Sequence, residues 1–133
     1  MIGLDTNVLV RYLAQDDARQ SALASAMIDR LTPEDPGFVA TVALVELVWV
    51  MQSCYAASKA EIVAILETLL RTRELVIENA GNTAQAVQRY AASKADFADC
   101  LIEGTARAAG CLHTVSFDKN AVRSAGMQPV GKY

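Results

Sequence analysis

The chain has 133 residues and a mass of 14.3 kDa, the size of one domain, and its 53% hydrophobic and 20% charged residues exclude general disorder. Twelve Lys and Arg against fifteen Asp and Glu give a net charge of −3 and a pI near 5.1. That balance excludes nucleic-acid binding by bulk positive charge, but not an enzyme that grips a phosphodiester through metal ions held by its own carboxylates.

Met1 to Leu4 is a short apolar run ending at Asp5, which reads as a buried strand. Val8, Leu9, Tyr12 and Leu13 follow with helical spacing, and a second helix after Asp16-Asp17 should turn Ala22, Leu23, Ala26, Met27 and Leu31 inward. Thr32 to Gly37 is a Pro/Gly loop, and Phe38 to Thr41 a second strand. Val42 to Tyr55 is apolar nearly all round and reads as a buried helix. Ser58-Lys59-Ala60-Glu61 is a capping box opening a helix through Leu70, and Leu75 to Ile77 is a third strand. Asn82 to Ala92 is an amphipathic helix, and Asp96 to Ala109 another, stopped by Gly110. Leu112 to Phe117 is a fourth strand, followed by a short helix and a last strand near Met127 to Val130.

Strands alternating with helices imply βαβ units. The expected fold is α/β: one three-layer domain over residues 1–133, with a central parallel sheet of about five strands and helices on both faces. Charge interrupts each long apolar stretch well before the ~18 residues of a membrane span. Met1 to Asp5 has neither a basic nor an apolar leader region, so a cytoplasmic protein with no membrane partner is expected. Cys54, Cys100 and Cys111 show no CxxC spacing and read as small apolar residues rather than a disulfide or zinc framework.

Ligands of parallel α/β sheets sit beyond the carboxyl ends of the strands. Asp5 closes the first strand there, with an N-cap role as the plain alternative. Glu46 lies inside an apolar helix with no Lys or Arg three or four residues away, so it either reaches solvent or is held by a cation. Asp96, Asp99 and Glu103 share one helix face; Asp96 can cap, and Glu103 can pair with Arg107. Asp118 ends the fourth strand, and Ser116 before it brings a hydroxyl to the same edge. His113 is the one His of the chain and reads as structural. Carboxylates gathered without basic partners repel, raise one another's pKa and favour a divalent cation. Oxygen-only ligands suit Mg²⁺ or Mn²⁺ rather than zinc.

With these residues in place the sequence resembles the PIN-domain ribonucleases, most of all the VapC-type toxins of bacterial toxin–antitoxin pairs. Met1-Ile2-Gly3-Leu4-Asp5-Thr6-Asn7-Val8-Leu9 is similar to that family's hydrophobic opening followed by DTNVL. Glu46 matches its central Glu, Asp96-Phe97-Ala98-Asp99-Cys100-Leu101-Ile102 its DFADALI stretch, and Val115-Ser116-Phe117-Asp118-Lys119 its TFDK stretch. The resemblance implies a PIN-like fold and a metal-dependent endoribonuclease whose catalytic and metal-binding quartet is Asp5, Glu46, Asp99 and Asp118. It places Asp99 rather than Asp96 as third acid, with Thr6, Asn7, Asp96 and Ser116 in support. It also implies one or two Mg²⁺ or Mn²⁺ ions per site, an RNA substrate, a small antitoxin protein that blocks the site, and a homodimer. Arg11, one turn after Asn7, is either a contact to the RNA backbone or a solvated helix residue.

Two other readings compete. An aspartate-based phosphatase wants a second Asp two residues after the first, where this chain has Asn7, which cannot donate and recover a proton. A non-catalytic interaction or regulatory module on the same fold would gain by replacing Glu46 with an apolar residue.

Overall fold

The computed structural model describes residues 1–131. The chain divides into two compact units, residues 1–80 and residues 81 onward.

The first unit begins with β1 (Ile2–Gly3), α1 (Thr6–Ala14), α2 (Ala18–Asp29) and β2 (Gly37–Val39), and continues through α3 (Thr41–Tyr55), α4 (Lys59–Arg71) and β3 (Leu75–Ile77). The strands form a parallel ladder in the order β1-β2-β3, with Ile2 opposite Gly37 and Val39 opposite Ile77. The central position of β2 explains its glycine. A Cβ at Gly37 would lie 2.8 Å from Leu4 Cδ1 and 3.0 Å from Leu31 Cδ1. Helix starts follow the expected chemistry. The Asp17 side chain accepts from Gln20 N at α2, and Ser58 and Glu61 close the capping box at α4. The core holds Leu9, Val39, Leu44, Leu47, Ile62 and Leu66, all but absent from the surface.

Three expectations need correction in this unit. β1 is not buried: Ile2 is 51% exposed and only Leu4 of the run is covered, because β1 is an edge strand just two residues long. On α2, Ala22, Leu23 and Ala26 face outward, while Ser21 and Ala24 are buried. Ser21 Oγ donates to the Arg11 carbonyl at 2.9 Å, so the buried face carries a satisfied hydroxyl that an apolar periodicity does not register. On α3, Val42, Glu46 and Trp49 lie at i, i+4 and i+7 and form one exposed stripe, with Trp49 63% exposed. Ala43, Leu44, Leu47, Val48 and Met51 carry the burial.

The second unit contains α5 (Ala80–Ala92) from Gly81 onward, α6 (Phe97–Ala108), β4 (Val115–Ser116), α7 (Lys119–Ser124) and β5 (Gln128–Pro129). Phe97 is fully buried and meets Tyr90 edge to face at 5.9 Å between ring centroids. Cys100, Leu101, Ala121 and Ala125 complete that core. α6 ends as expected at Gly110, whose φ is +96°. Gly110 N–H donates to Arg107 O and Cys111 N–H to Ala106 O, the paired bonds of a Schellman ending. The fourth strand shrinks from the expected Leu112–Phe117 to Val115–Ser116, leaving Leu112 92% exposed.

The α/β class stands, with five strands among the described residues, but they form a parallel ladder of three and a parallel ladder of two instead of one sheet of about five. Each strand is only two or three residues long, and Pro129 brings no N–H to extend its ladder. Among the described residues, no helix is long and apolar enough to cross a membrane.

Candidate acidic site

In the first unit the site residues lie at the carboxyl edge of the three-stranded ladder. Asp5 follows β1 and holds the N-cap position of α1 with extended backbone, yet its side chain makes no cap hydrogen bond. The backbone carbonyl takes that role, accepting from Val8 N–H at 3.0 Å, so the carboxylate stays uncommitted and exposed. Thr6, only 6% exposed, donates from Oγ1 to Glu46 Oε1 at 3.3 Å. That bond joins the start of α1 to the middle of α3. Glu46 reaches solvent, because it lies on the exposed stripe of α3.

Asn7 and Arg11 line a groove of about 540 Å³ between α1 and α2, together with Val8, Leu23 and Met27. Arg11 is already engaged. Its Nε donates to Gln20 Oε1 at 2.7 Å, and Nη1 stands 3.4 Å from Asp16 Oδ1. Asp16 also accepts from the Tyr55 hydroxyl at 2.7 Å, and this bond, more than Arg11, holds its carboxyl below the usual range.

Two further residues at the same edge were not anticipated from the sequence. Glu78 follows β3 as Asp5 follows β1, and its Oε1 accepts from Thr41 N–H at 2.9 Å. It thereby caps α3, whose own N-cap residue, Ala40, has no side chain to do so. Thr41 Oγ1 is buried with no hydrogen-bond partner among the described residues. An acid directly after a strand was the available signal for Glu78; for Thr41 there was none.

The second unit gathers the other acids. Asp96 is the N-cap of α6, its Oδ1 accepting from Ala98 N–H at 3.3 Å. Asp99 follows in the first turn, half-buried. Burial pushes its carboxyl above the usual range, and the neighbouring charges of Asp96 and then Asp118 push it the same way. Asp118 caps α7, with Oδ1 accepting from Asn120 N–H at 2.7 Å and Ala121 N–H at 3.1 Å. Ser116 supports it from behind: its hydroxyl accepts the Asp118 N–H at 2.9 Å. Asn120, also unanticipated, ties α7 down through Nδ2 to the Lys94 carbonyl at 3.0 Å, just before Asp96. Glu103 stands apart from this cluster. It pairs with Arg89 at 2.7 Å and with Arg107 at 3.3 Å, so its role is structural, with Arg89 as the unforeseen partner.

The structure therefore brings Thr6 to Glu46, and sets Asp96 and Asp118 close enough to act on the charge of Asp99. Within neither unit do the described residues place three or more His, Cys, Asp or Glu groups ready to hold a metal ion. The chemistry of the donors nevertheless fits a hard divalent cation. They are carboxylate and hydroxyl oxygens without thiolate or imidazole, and one carboxylate is disfavoured in its charged form by burial and then by its like-charged neighbours.

Comparison with known proteins agrees with this chemistry. The family model for the PIN domain matches residues 2–126. A VapC ribonuclease from Aquifex aeolicus (strain VF5) is 24% identical over 130 residues, which cover 98% of this chain and 96% of that protein.

Proposed function

This chain belongs to the PIN-domain family, and we propose that it is a metal-dependent endoribonuclease of the VapC toxin type, built on Asp5, Glu46, Asp99 and Asp118. The observation that carries the reading is Asp99, a first-turn carboxylate whose charged form is disfavoured by burial first and by the charges of Asp96 and Asp118 second. A half-buried carboxylate pressed by two others gains most from a divalent cation. Mg²⁺ or Mn²⁺, one or two ions per site, supplies the charge that polarises a phosphodiester and makes water a better nucleophile at neutral pH.

The chain's own residues hold the carboxylates in place. The Thr6 hydroxyl fixes one oxygen of Glu46. α7 N–H groups and the Ser116 hydroxyl fix Asp118 by side chain and backbone, and the cap bonds use only Oδ1. Asp96 turns back to its own helix as a cap, and so serves the site through its charge rather than as a principal ligand. Asp5 spends nothing on α1 and stays available. The partners proposed with this activity are an RNA substrate, a small antitoxin protein that covers the site, and a second copy of the chain.

The test is cleavage of structured and unstructured RNAs with Mg²⁺, with Mn²⁺ and with chelator. Metal-stimulated cleavage that Asp5→Asn and Asp99→Asn abolish is the expected result. Cleavage indifferent to chelator and to both substitutions refutes it.

A further inference from the structure

The carboxyl edge of the two-stranded ladder carries a second feature, distinct from the carboxylates. β4 and β5 run parallel, with Val115 opposite Gln128 and Ser116 opposite Pro129. The next residues along the two strands, Phe117 and Val130, leave the ladder together. Phe117 is 90% exposed. Between the strands in sequence lies α7, on which Lys119, Val122 and Arg123 share one face at i, i+3 and i+4. Phe117, Lys119, Val122, Arg123, Pro129 and Val130 line a groove of about 480 Å³.

The composition of this groove runs against that of the chain. The protein is acidic overall, yet the groove is lined by a lysine and an arginine and by no carboxylate, and neither cation is in an ion pair among the described residues. An aromatic ring left almost wholly in water, two cations spaced one helical turn apart, and apolar side walls match an unpaired nucleotide. The ring offers a stacking face, and the cations take the flanking phosphates. The position fits as well, because ligands of parallel α/β ladders lie beyond the carboxyl ends of the strands. Asp118 sits between Phe117 and Lys119 in sequence, with its carboxylate turned onto the α7 backbone.

We infer that this groove binds an unpaired nucleotide of the RNA next to the bond that is cut, with Phe117 stacking on the base and Lys119 and Arg123 holding the phosphates. That the RNA is a substrate rests on the nuclease reading, but its binding in the groove has a readout of its own.

The experiment is fluorescence anisotropy of a short end-labelled single-stranded RNA against the full chain in chelator, repeated over a range of salt. Phe117→Ala is expected to weaken binding about 5- to 150-fold, the usual loss of one base stack, and Phe117→Tyr to restore it. The double variant Lys119→Gln/Arg123→Gln is expected to lower the slope of log affinity against log salt by about 1.4, at ~0.7 for each phosphate no longer neutralised. A duplex RNA of the same sequence should be bound more weakly by the wild-type chain and be indifferent to Phe117→Ala.

In cleavage assays with Mg²⁺ or Mn²⁺, both variants should raise KM more than they lower kcat. Unchanged RNA affinity and salt slope in both variants, with melting temperatures near wild type, overturns the inference. So does a Phe117→Ala variant whose only change is loss of a dimer in sedimentation, which would make the groove a protein contact. The two readings fail separately. Phe117-dependent binding without metal-stimulated cleavage sinks the nuclease and keeps the groove. Asp5-dependent cleavage with unchanged KM in the groove variants does the reverse.

Discussion

Asp118 does two jobs that substitution can separate. Its Oδ1 accepts from two backbone N–H groups at the start of α7, at 2.7 and 3.1 Å, and its charge is one of the two that press on Asp99. Asparagine keeps a carbonyl oxygen at the cap and removes the charge; alanine removes both. A lost cap costs about 0.5–2 kcal/mol, and a single oxygen that serves two donors belongs in the upper half of that range, about 1–2 kcal/mol. Relief of the repulsion on Asp99 acts in the opposite direction and equally in both variants, so it cancels when the two are compared. For a chain of this size the gap corresponds to roughly 3–8 °C in melting temperature. Asp118→Asn is therefore expected to melt at or slightly above wild type at pH 7, and Asp118→Ala several degrees below Asp118→Asn. Both should lose metal-dependent cleavage. The assay is paired thermal melts without metal, with cleavage measured in parallel. Equal melting temperatures for the two variants refute the cap, and full cleavage by Asp118→Asn refutes the need for the charge.

Asp99→Asn is expected to stabilise the metal-free protein at neutral pH. The folded-state pKa of Asp99 is raised above its ordinary value of 3.8, so its contribution is most favourable below that value and is lost as pH rises through the folded pKa. The advantage of the variant should disappear on acidification in denaturant melts from pH 3 to 8, and Mg²⁺ should narrow it at pH 7 by binding the wild-type fold. Glu46→Gln should change the melting temperature by no more than about 2 °C, since the side chain is exposed and glutamine can still accept from Thr6; a drop of many degrees would make Glu46 a structural group. Phe97→Ala should cost about 3–5 kcal/mol in chemical denaturation, because the ring is fully buried against Tyr90 one residue from the Asp96 cap.

The sequence carried the elements well where local chemistry decides them. Ser58 with Glu61, Asp96 before Phe97, and Gly110 after α6 are signals of one turn, and each appears where the spacing places it. It carried burial poorly where apolar residues are plentiful. In Val42 to Tyr55 nearly every position is apolar, so periodicity could not single out the stripe of Val42, Glu46 and Trp49 that faces water. On α2 the buried position is a serine satisfied by the Arg11 carbonyl, which no hydropathy pattern reveals. At the site, the identities of the carboxylates came from motif, but their states did not. That the Asp5 side chain makes no bond to its own helix, while Asp118 caps with one oxygen, depends on rotamers that spacing does not specify. Glu78 and Asn120 act across 37 and 26 residues, and although an acid directly after a strand points to Glu78, nothing local reveals the partner of either.

The long reach of Glu78 also bears on the order of folding. α3 begins at Ala40-Thr41 with no local side chain to take its first N–H groups, and one of them finds its acceptor only after the chain has run through α4 and β3. Closing so long a loop must come before that bond can form. The first turn of α3 is then set late, when β3 docks beside β2, while the capping box at Ser58 lets α4 start on its own. Amide exchange should show the N–H of Thr41 opening together with the β2–β3 ladder rather than with the rest of its own helix. The segment leading to Glu46 thus gains its final order from a strand that follows it in the chain.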